Sequence, residues 1–450
     1  MKPRKRSLSS ERLGASFIER LGALLENREV QQYVIEANDK YWYWEEVQHR
    51  QAPENLKPHE AWMLIKTGRA LSATHLNPLN DPQGGFALNV SASRWIQEKL
   101  HEIDLNVGGS LQSDGIIPKQ EQTQLLLSSL MEEAIASSQL EGAATTRKVA
   151  KEMLRTKRKP RNKNEQMIAN NYETIQLIQE WVKEEMTPEK IVTIQKTITR
   201  GTLDHDGWAG RYRDNDEVRV VDVMTGEIAH IPPSYKEVPA YMENLCAFAN
   251  KTSHETYVHP VIKACILHFL IGYIHPFEDG NGRTARALFY WYMLKEHYLL
   301  MRYVSISRIF KNAPARYAKA YRYTEEDDND LTYFVKYHLE AIVKGMTALK
   351  EHIEKKQKEK QKLVAIRKWG NLNPRQIHIV SEFYQDASRI MTIKEAQEIF
   401  AVVYQTARTD LLGLMREGFL MSKTEGKRMV FFRSKEFENK MEQILNNKNL

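Results

Sequence analysis

Twelve consecutive residues, HPFEDGNGRTAR from His275 to Arg286, gather an imidazole, a carboxylate, a Gly-Asn-Gly turn and two guanidiniums. The chain before them, Val258 to Ile274, places Val261, Ile262, Cys265, Phe269, Leu270 and Tyr273 at roughly helical spacing, and Ala285 to Leu300 reads as a second helix. The turn therefore falls at a helix N-terminus, where unpaired N–H groups and the positive end of the dipole favour an anion. Glycines let the backbone approach that anion closely. Arg283 and Arg286 lie one helical turn apart and can project to the same region. Asp279 is a hard oxygen ligand suited to magnesium shared with phosphates, and His275 is of the right type to take a proton from an attacking hydroxyl. Together these residues describe phosphate chemistry.

The stretch resembles the signature of Fic-domain proteins, HPFx[D/E]GNGRxxR, and has the specified residue at every position. The resemblance implies transfer of AMP from ATP, with Mg2+, to a Ser, Thr or Tyr hydroxyl of a protein. It assigns His275 as general base and Asp279 as the magnesium ligand. Asn281 and the backbone of Gly280 and Gly282 would cradle the α- and β-phosphates, with Arg283 on phosphate and Arg286 at the γ-phosphate end.

Upstream, SSLMEEAIASSQLEGA from Ser128 to Ala143 reads as a helix, with Ser137 and Glu141 on one face and Gly142 as its stop. It resembles the Fic inhibitory helix, [S/T]xxxE[G/N], with Ser137, Glu141 and Gly142 in the three specified places. By that resemblance Glu141 pairs with Arg286 and fills the space that the γ-phosphate needs, so the chain inhibits itself. An ordinary solvated helix end is the plainer reading of those residues.

Between the two motifs, Val218 to Pro233 alternates β-branched and polar residues around Thr-Gly-Glu, as a hairpin does. In Fic proteins such a hairpin, the flap, covers the site and pairs with an extended target segment; Glu227, Ile228, Ala229 and His230 fall where its nucleotide contacts would be. Tyr317 resembles the paired-tyrosine position near the adenosine, although Ala318 follows it here where the family has a second tyrosine.

The elements that must position these residues are mostly helical. At 450 residues the chain is expected to form two or three domains. No apolar run reaches the ~18 residues of a membrane span, and the basic start MKPRKRSLSS has no apolar stretch behind it. Cys246 and Cys265 read as reduced core thiols of a cytoplasmic protein. The net charge of +7 is moderate; the basic run Lys350 to Lys368 is most simply a solvated connecting helix, while Arg147 to Lys163 reads either as a solvated linker face or as a surface for an acidic partner or nucleic acid.

From Asn371 the sequence reads as three short helices, opened by Asn373, Thr392 and the stretch at Val403, and then a hairpin across Thr424-Glu425-Gly426. That order resembles a winged helix-turn-helix, with Gln405, Arg408 and Thr409 on the third helix and Lys423, Lys427 and Arg428 on the wing. DNA and a protein surface are both partners of such a module.

The expected architecture is mainly α: an aromatic-rich helical region over 1–120, a Fic core over 121–345 including the inhibitory helix at about 125–142, a charged connecting helix over 346–370 and a winged helix over 371–450. The expected function is an ATP- and magnesium-dependent protein adenylyltransferase held in check by Glu141. It would act on an unknown target protein and on itself, with a homodimer allowed and no membrane involved. Two alternatives stand beside it. One is removal of AMP from a modified protein, with Glu141 aligning a water; the other is a DNA-binding regulator whose Fic core senses nucleotide.

Overall fold

The computed structural model describes residues 15–80, 86–108, 119–221, 226–250, 257–368, 372–426 and 428–446. The expected hairpin turn at Thr225 and Lys427 of the wing lie outside the described residues. The chain divides into two compact units, Met1–Leu349 and Lys350–Leu450. No described helix is long and apolar enough to cross a membrane.

The centre of the first unit is the helix Pro260–Ile274, buried on nearly every side from Val261 through Ile271. Its sequence is apolar all round, which is what a helix enclosed by others requires. Pro260 takes the first helical position and His259 caps it by accepting from the Val261 N–H at 3.3 Å. The helix stops at His275, which turns into the left-handed region (φ 49°) and donates its N–H to Ile271 O. The next helix, Asn281–Lys295, packs along it and is buried from Arg283 to Leu294. It ends five residues before the expected Leu300, because His297 turns into the left-handed region (φ 65°) and Tyr298 N–H closes back on Met293 O at 3.0 Å.

A long helix, Lys119–Leu140, crosses the Asn281–Lys295 helix. Glu133 and Ser137 face Tyr290 and Arg286, and Glu141, just past the helix end, meets Arg286 and Gly282. Four-residue steps on one element meet four-residue steps on the other, running in opposite directions. Gly142 supplies the left-handed turn (φ 92°), and Ala143 N–H returns to Ser138 O at 3.0 Å. At the far end of the ladder Glu133 is fully buried. It accepts from Tyr290 Oη at 2.9 Å, Ser305 Oγ at 2.8 Å, Ser307 N at 3.2 Å and Ser307 Oγ. Burial pushes its carboxyl upward, against the pull of those donors.

The N-terminal region is helical as expected, but it also pairs Ala73–Leu76 with Leu88–Ser91 as antiparallel strands, a hairpin the sequence reading missed. Its Arg69, 3 % exposed, bonds Trp42 O, Asn38 Oδ1 and Tyr333 Oη, tying the region to the helix Thr332–Lys368. That helix is continuous for 37 residues, so the separate connecting helix expected over 346–370 is instead its second half.

In the second unit, helices Pro374–Gln385, Ile393–Phe400 and Tyr404–Arg416 precede an antiparallel pair, Leu420–Glu425 with Arg428–Arg433. Asn373 and Thr392 both form capping boxes, as their positions suggested. A short strand, Met391–Thr392, adds to the outer edge of Arg428–Arg433, and a last helix, Phe437–Asn446, packs Phe437, Met441 and Ile444 into the same core as Phe383, Leu411 and Phe431. Neither of these last two elements was expected.

The ladder predicts that Glu133→Ala destabilises the first unit by about 2–4 kcal/mol, since it strands several buried donors at once. Calorimetry of wild type and variant side by side checks this; a change of under ~0.5 kcal/mol would remove Glu133 as the anchor of the Lys119–Leu140 helix.

Candidate active site

The loop between the two central helices is held from three sides. Asn281 places its side chain against the backbone of Phe277, accepting from the N–H at 3.0 Å and donating to the carbonyl at 2.7 Å. Its amide is thus committed to shaping the loop, and what remains for a phosphate at this position is the backbone N–H. Gln195 donates to Asp279 O at 3.1 Å and accepts from Gly210 N at 2.7 Å. Arg213 donates to His275 O at 3.0 Å and to Pro233 O, while its own N–H reaches Pro276 O at 2.9 Å. Neither Gln195 nor Arg213 was singled out from the sequence. Each acts from more than sixty positions away, and no local spacing marks it.

Gly280 caps the second helix with φ 88°, and a Cβ there would lie 2.9 Å from Thr199 Cγ2, so both conformation and space demand glycine. Thr284 N–H is the first to find a helical partner, Gly280 O at 2.9 Å. The N–H groups of Asn281, Gly282 and Arg283 precede the first helical acceptor and form the positive end of the helix.

Over that end sits Glu141. Its Oε1 lies 2.8 Å from Arg286 Nη2, and a Cβ on Gly282 would collide with the same oxygen. Arg286 is 1 % exposed; its Nε donates to Ser137 Oγ at 2.8 Å and its Nη2 to Ser137 O at 3.1 Å. Burial pushes the Glu141 carboxyl up, but the charges of Arg286 and Arg283 outweigh it and hold the pKa below the usual range. The structure thus brings together Ser137, Glu141 and Arg286, three residues the sequence placed in two distant motifs.

Arg283 is also buried, donating to Ile198 O at 3.2 Å and to Asp279 Oδ2 at 3.2 Å, with no described partner at its Nε. Asp279 is half exposed at the rim and accepts from Gly280 N at 2.5 Å. One exposed carboxylate beside unpaired N–H groups fits a magnesium whose other ligands are phosphate oxygens and water. Among the described residues no cluster of three or more His, Cys, Asp or Glu side chains offers a closed metal cage.

His275 Nδ1 lies 3.2 Å from Gly272 O, a group that only accepts, so Nδ1 carries the proton and Nε2 keeps its lone pair. Burial is the main reason its pKa falls to about 4, helped by nearby His230 and Arg213.

The flap is short: Val220–Val221 pairs with Ile228–His230. Glu227 and Ala229 are exposed and Ile228 half-buried, while His230 turns inward. Its Nδ1 lies 2.7 Å from Glu325 Oε2 and its Nε2 2.7 Å from Tyr273 O, so both ring nitrogens are occupied and the imidazole anchors the flap to the core. Burial alone would lower the His230 pKa; the Glu325 carboxylate raises it. Tyr317 is likewise committed, its hydroxyl 2.8 Å from His268 Nε2. One turn later Tyr321 stands beside it, with its ring against Gly272.

The structure sets an arginine-lined helix N-terminus near a half-buried imidazole. The Fic/DOC family model matches residues 185–293. The chain is 34 % identical over 105 residues to a protein adenylyltransferase Fic of Nematostella vectensis, covering 23 % of this chain and 22 % of that protein. It is 29 % identical over 131 residues to one of Drosophila ananassae, covering 29 % and 24 %. The chain therefore spans about a quarter or less of the curated relatives it matches. Among solved structures it is similar to a Fic family protein of Desulfovibrio desulfuricans (17 % identity, 76 % of this chain and 95 % of that one, TM-score 0.47) and to Fic-1 (aa134–508) of C. elegans (16 %, 74 % and 85 %, 0.49).

The environment of His275 predicts an imidazole resonance that titrates at about 4. Because the folded value lies below the unfolded one of ~6.5, stability falls as pH drops through the window between them, where only the unfolded ring takes up a proton. A histidine NMR titration checks this, and a midpoint near the ordinary value would contradict the buried, neutral ring.

Proposed function

We propose that this chain transfers AMP from ATP, with magnesium, to a Ser, Thr or Tyr hydroxyl of a protein, and that Glu141 restrains the reaction. The observation that carries the reading is the Glu141–Arg286 pair at 2.8 Å, set over the unpaired end of the Asn281–Lys295 helix. A carboxylate already occupies the place where that helix end favours the anionic groups of a nucleotide. The matched relatives named protein adenylyltransferase Fic support the same class of reaction.

His275 Nε2 accepts the proton of the target hydroxyl as its oxygen attacks the α-phosphorus. A new P–O bond forms there, the bond to the β-phosphate breaks, and pyrophosphate leaves. A ring whose pKa is about 4 is unprotonated at neutral pH and ready to accept. The backbone N–H groups of Asn281, Gly282 and Arg283 orient the phosphates, and the Arg283 and Arg286 guanidiniums balance their charge. Magnesium, held by Asp279, supplies further charge neutralisation when bound. Exposed flap residues Glu227 and Ala229 lie where an extended target segment could add by main-chain hydrogen bonds.

Glu141→Gly is expected to raise self-labelling from radioactive ATP at least about tenfold, since a charge-assisted pair no longer competes for Arg286. Adding Arg286→Ala should cancel the gain, and adding His275→Ala should abolish transfer while sparing nucleotide binding. A folded Glu141→Gly protein no more active than wild type would end the restraint reading.

A second activity is favoured by the surface of the C-terminal unit. Tyr404, Gln405, Arg408 and Thr409 are exposed on one helix, and Lys423 and Arg428 are exposed on the following hairpin. We propose that this unit is a winged helix that binds duplex DNA, with the helix in the major groove and the hairpin on phosphates. Anisotropy titrations of the full chain should show affinity falling with salt, and Arg408→Ala with Arg428→Ala should lower the slope by about one to two. Salt-insensitive or absent binding would assign the module to protein contacts.

A further inference from the structure

Two buried histidines lie in the first unit, away from the catalytic loop, and neither is used by the chemistry above. His268, on the helix Pro260–Ile274, is 0 % exposed, and His338, on Thr332–Lys368, is 1 % exposed. His338 Nδ1 lies 2.9 Å from Phe334 O, four residues earlier on its own helix. His338 Nε2 lies 3.0 Å from His268 Nδ1, and His268 Nε2 lies 2.8 Å from Tyr317 Oη. Tyr317 stacks on Phe310 with ring centroids 4.7 Å apart, and its hydroxyl lies within the field of the Arg286 guanidinium.

These contacts have one consistent arrangement of protons. A carbonyl only accepts, so His338 Nδ1 carries a hydrogen. Burial drives the His338 pKa to about 3 and that of His268 well below its ordinary value, so each ring is neutral and holds a single N–H. His338 Nε2 must then accept, which puts the His268 hydrogen on Nδ1. His268 Nε2 in turn accepts, and among the described residues the donor facing it is the Tyr317 hydroxyl. With its hydrogen turned to His268, the Tyr317 oxygen presents lone pairs to Arg286.

We propose that His338 and His268 are positioning residues, a one-way hydrogen-bond relay that fixes Tyr317 as an acceptor for Arg286. The contacts of Arg286 come from two walls. Ser137 and Glu141 belong to the Lys119–Leu140 helix and its end, whereas Tyr317 belongs to the core. When Glu141 leaves, Tyr317 keeps the guanidinium aimed at the incoming γ-phosphate. This rests on the adenylyl-transfer reading for the identity of the ligand, but not for the relay itself.

The test has two arms. In 15N-histidine-labelled wild-type protein, long-range nitrogen–proton spectra should show both rings neutral with the proton on Nδ1 from about pH 6 to pH 8. Tyr317→Phe, which keeps the stack on Phe310, should shift the His268 Nε2 resonance. A proton on Nε2 of either ring, or a charged ring, overturns the relay. In the Glu141→Gly background, Tyr317→Phe and His268→Phe should each weaken ATP binding roughly tenfold more than ADP binding, because only ATP reaches Arg286 with a γ-phosphate. His268→Gln, whose amide oxygen can accept from Tyr317, should recover part of the loss. Equal losses for ATP and ADP would mean a merely structural role and overturn the proposal. If no form of the protein bound either nucleotide, the adenylyl-transfer reading would fail, and the histidine spectra alone would decide the relay.

Discussion

Arg286 carries a permanent positive charge into a place that water barely reaches, and the architecture of the first unit follows from satisfying it. Burying an unpaired guanidinium costs several kcal/mol, so every face of it needs an acceptor. Ser137 supplies a hydroxyl and a carbonyl and Glu141 a carboxylate, and the Tyr317 hydroxyl is proposed to supply a phenolic oxygen. Those residues lie on two elements that approach from opposite sides, so packing of the Lys119–Leu140 helix and of the Pro314–Glu326 helix is tied to one charge. The proposed control of the site is a consequence of the same need: an arginine that must have an anion will take the carboxylate when no phosphate is present.

The second requirement is space beside the backbone. At Gly282 a methyl group would meet the Glu141 carboxylate, and at Gly280 it would meet Thr199 in a conformation that L-residues rarely adopt. The small residues of the turn thus serve two occupants, the side chain seen in the structure and the phosphate proposed to replace it. Around the turn, Asn281, Gln195 and Arg213 use side-chain hydrogen bonds to hold backbone groups that belong to no helix or strand. Rigidity of the loop is therefore built from polar contacts, while the helices behind it are held by apolar burial.

The second unit obeys simpler rules. Capping boxes at Asn373 and Thr392 start two of its helices, and a core of Phe383, Leu411, Leu414, Phe419 and Phe431 joins them to the sheet. Its buried Asp410 is answered by Arg375 at 2.6 Å and Asn373 at 2.7 Å, which pins the start of the first helix to the third. The exposed polar face of the Tyr404–Arg416 helix lies opposite Ala407, Leu411 and Leu414, which turn inward.

By itself the sequence determined the features that live within one or two helical turns. The contiguous run from His275 to Arg286, the four-residue spacing of Ser137 and Glu141, the stop at Gly142 and the caps at Asn373 and Thr392 could all be read because neighbouring positions fix their geometry. The tertiary structure alone decided which distant groups meet. Glu133 beneath Tyr290, Arg213 behind His275, and His338 against His268 leave no local signature, because their partners lie on other elements. The same holds for the N-terminal hairpin, whose two short strands pair across a long connection, and for the uninterrupted helix Thr332–Lys368. Local periodicity specifies an element and the face it buries; what that face touches is settled only when the whole chain closes around its buried charges.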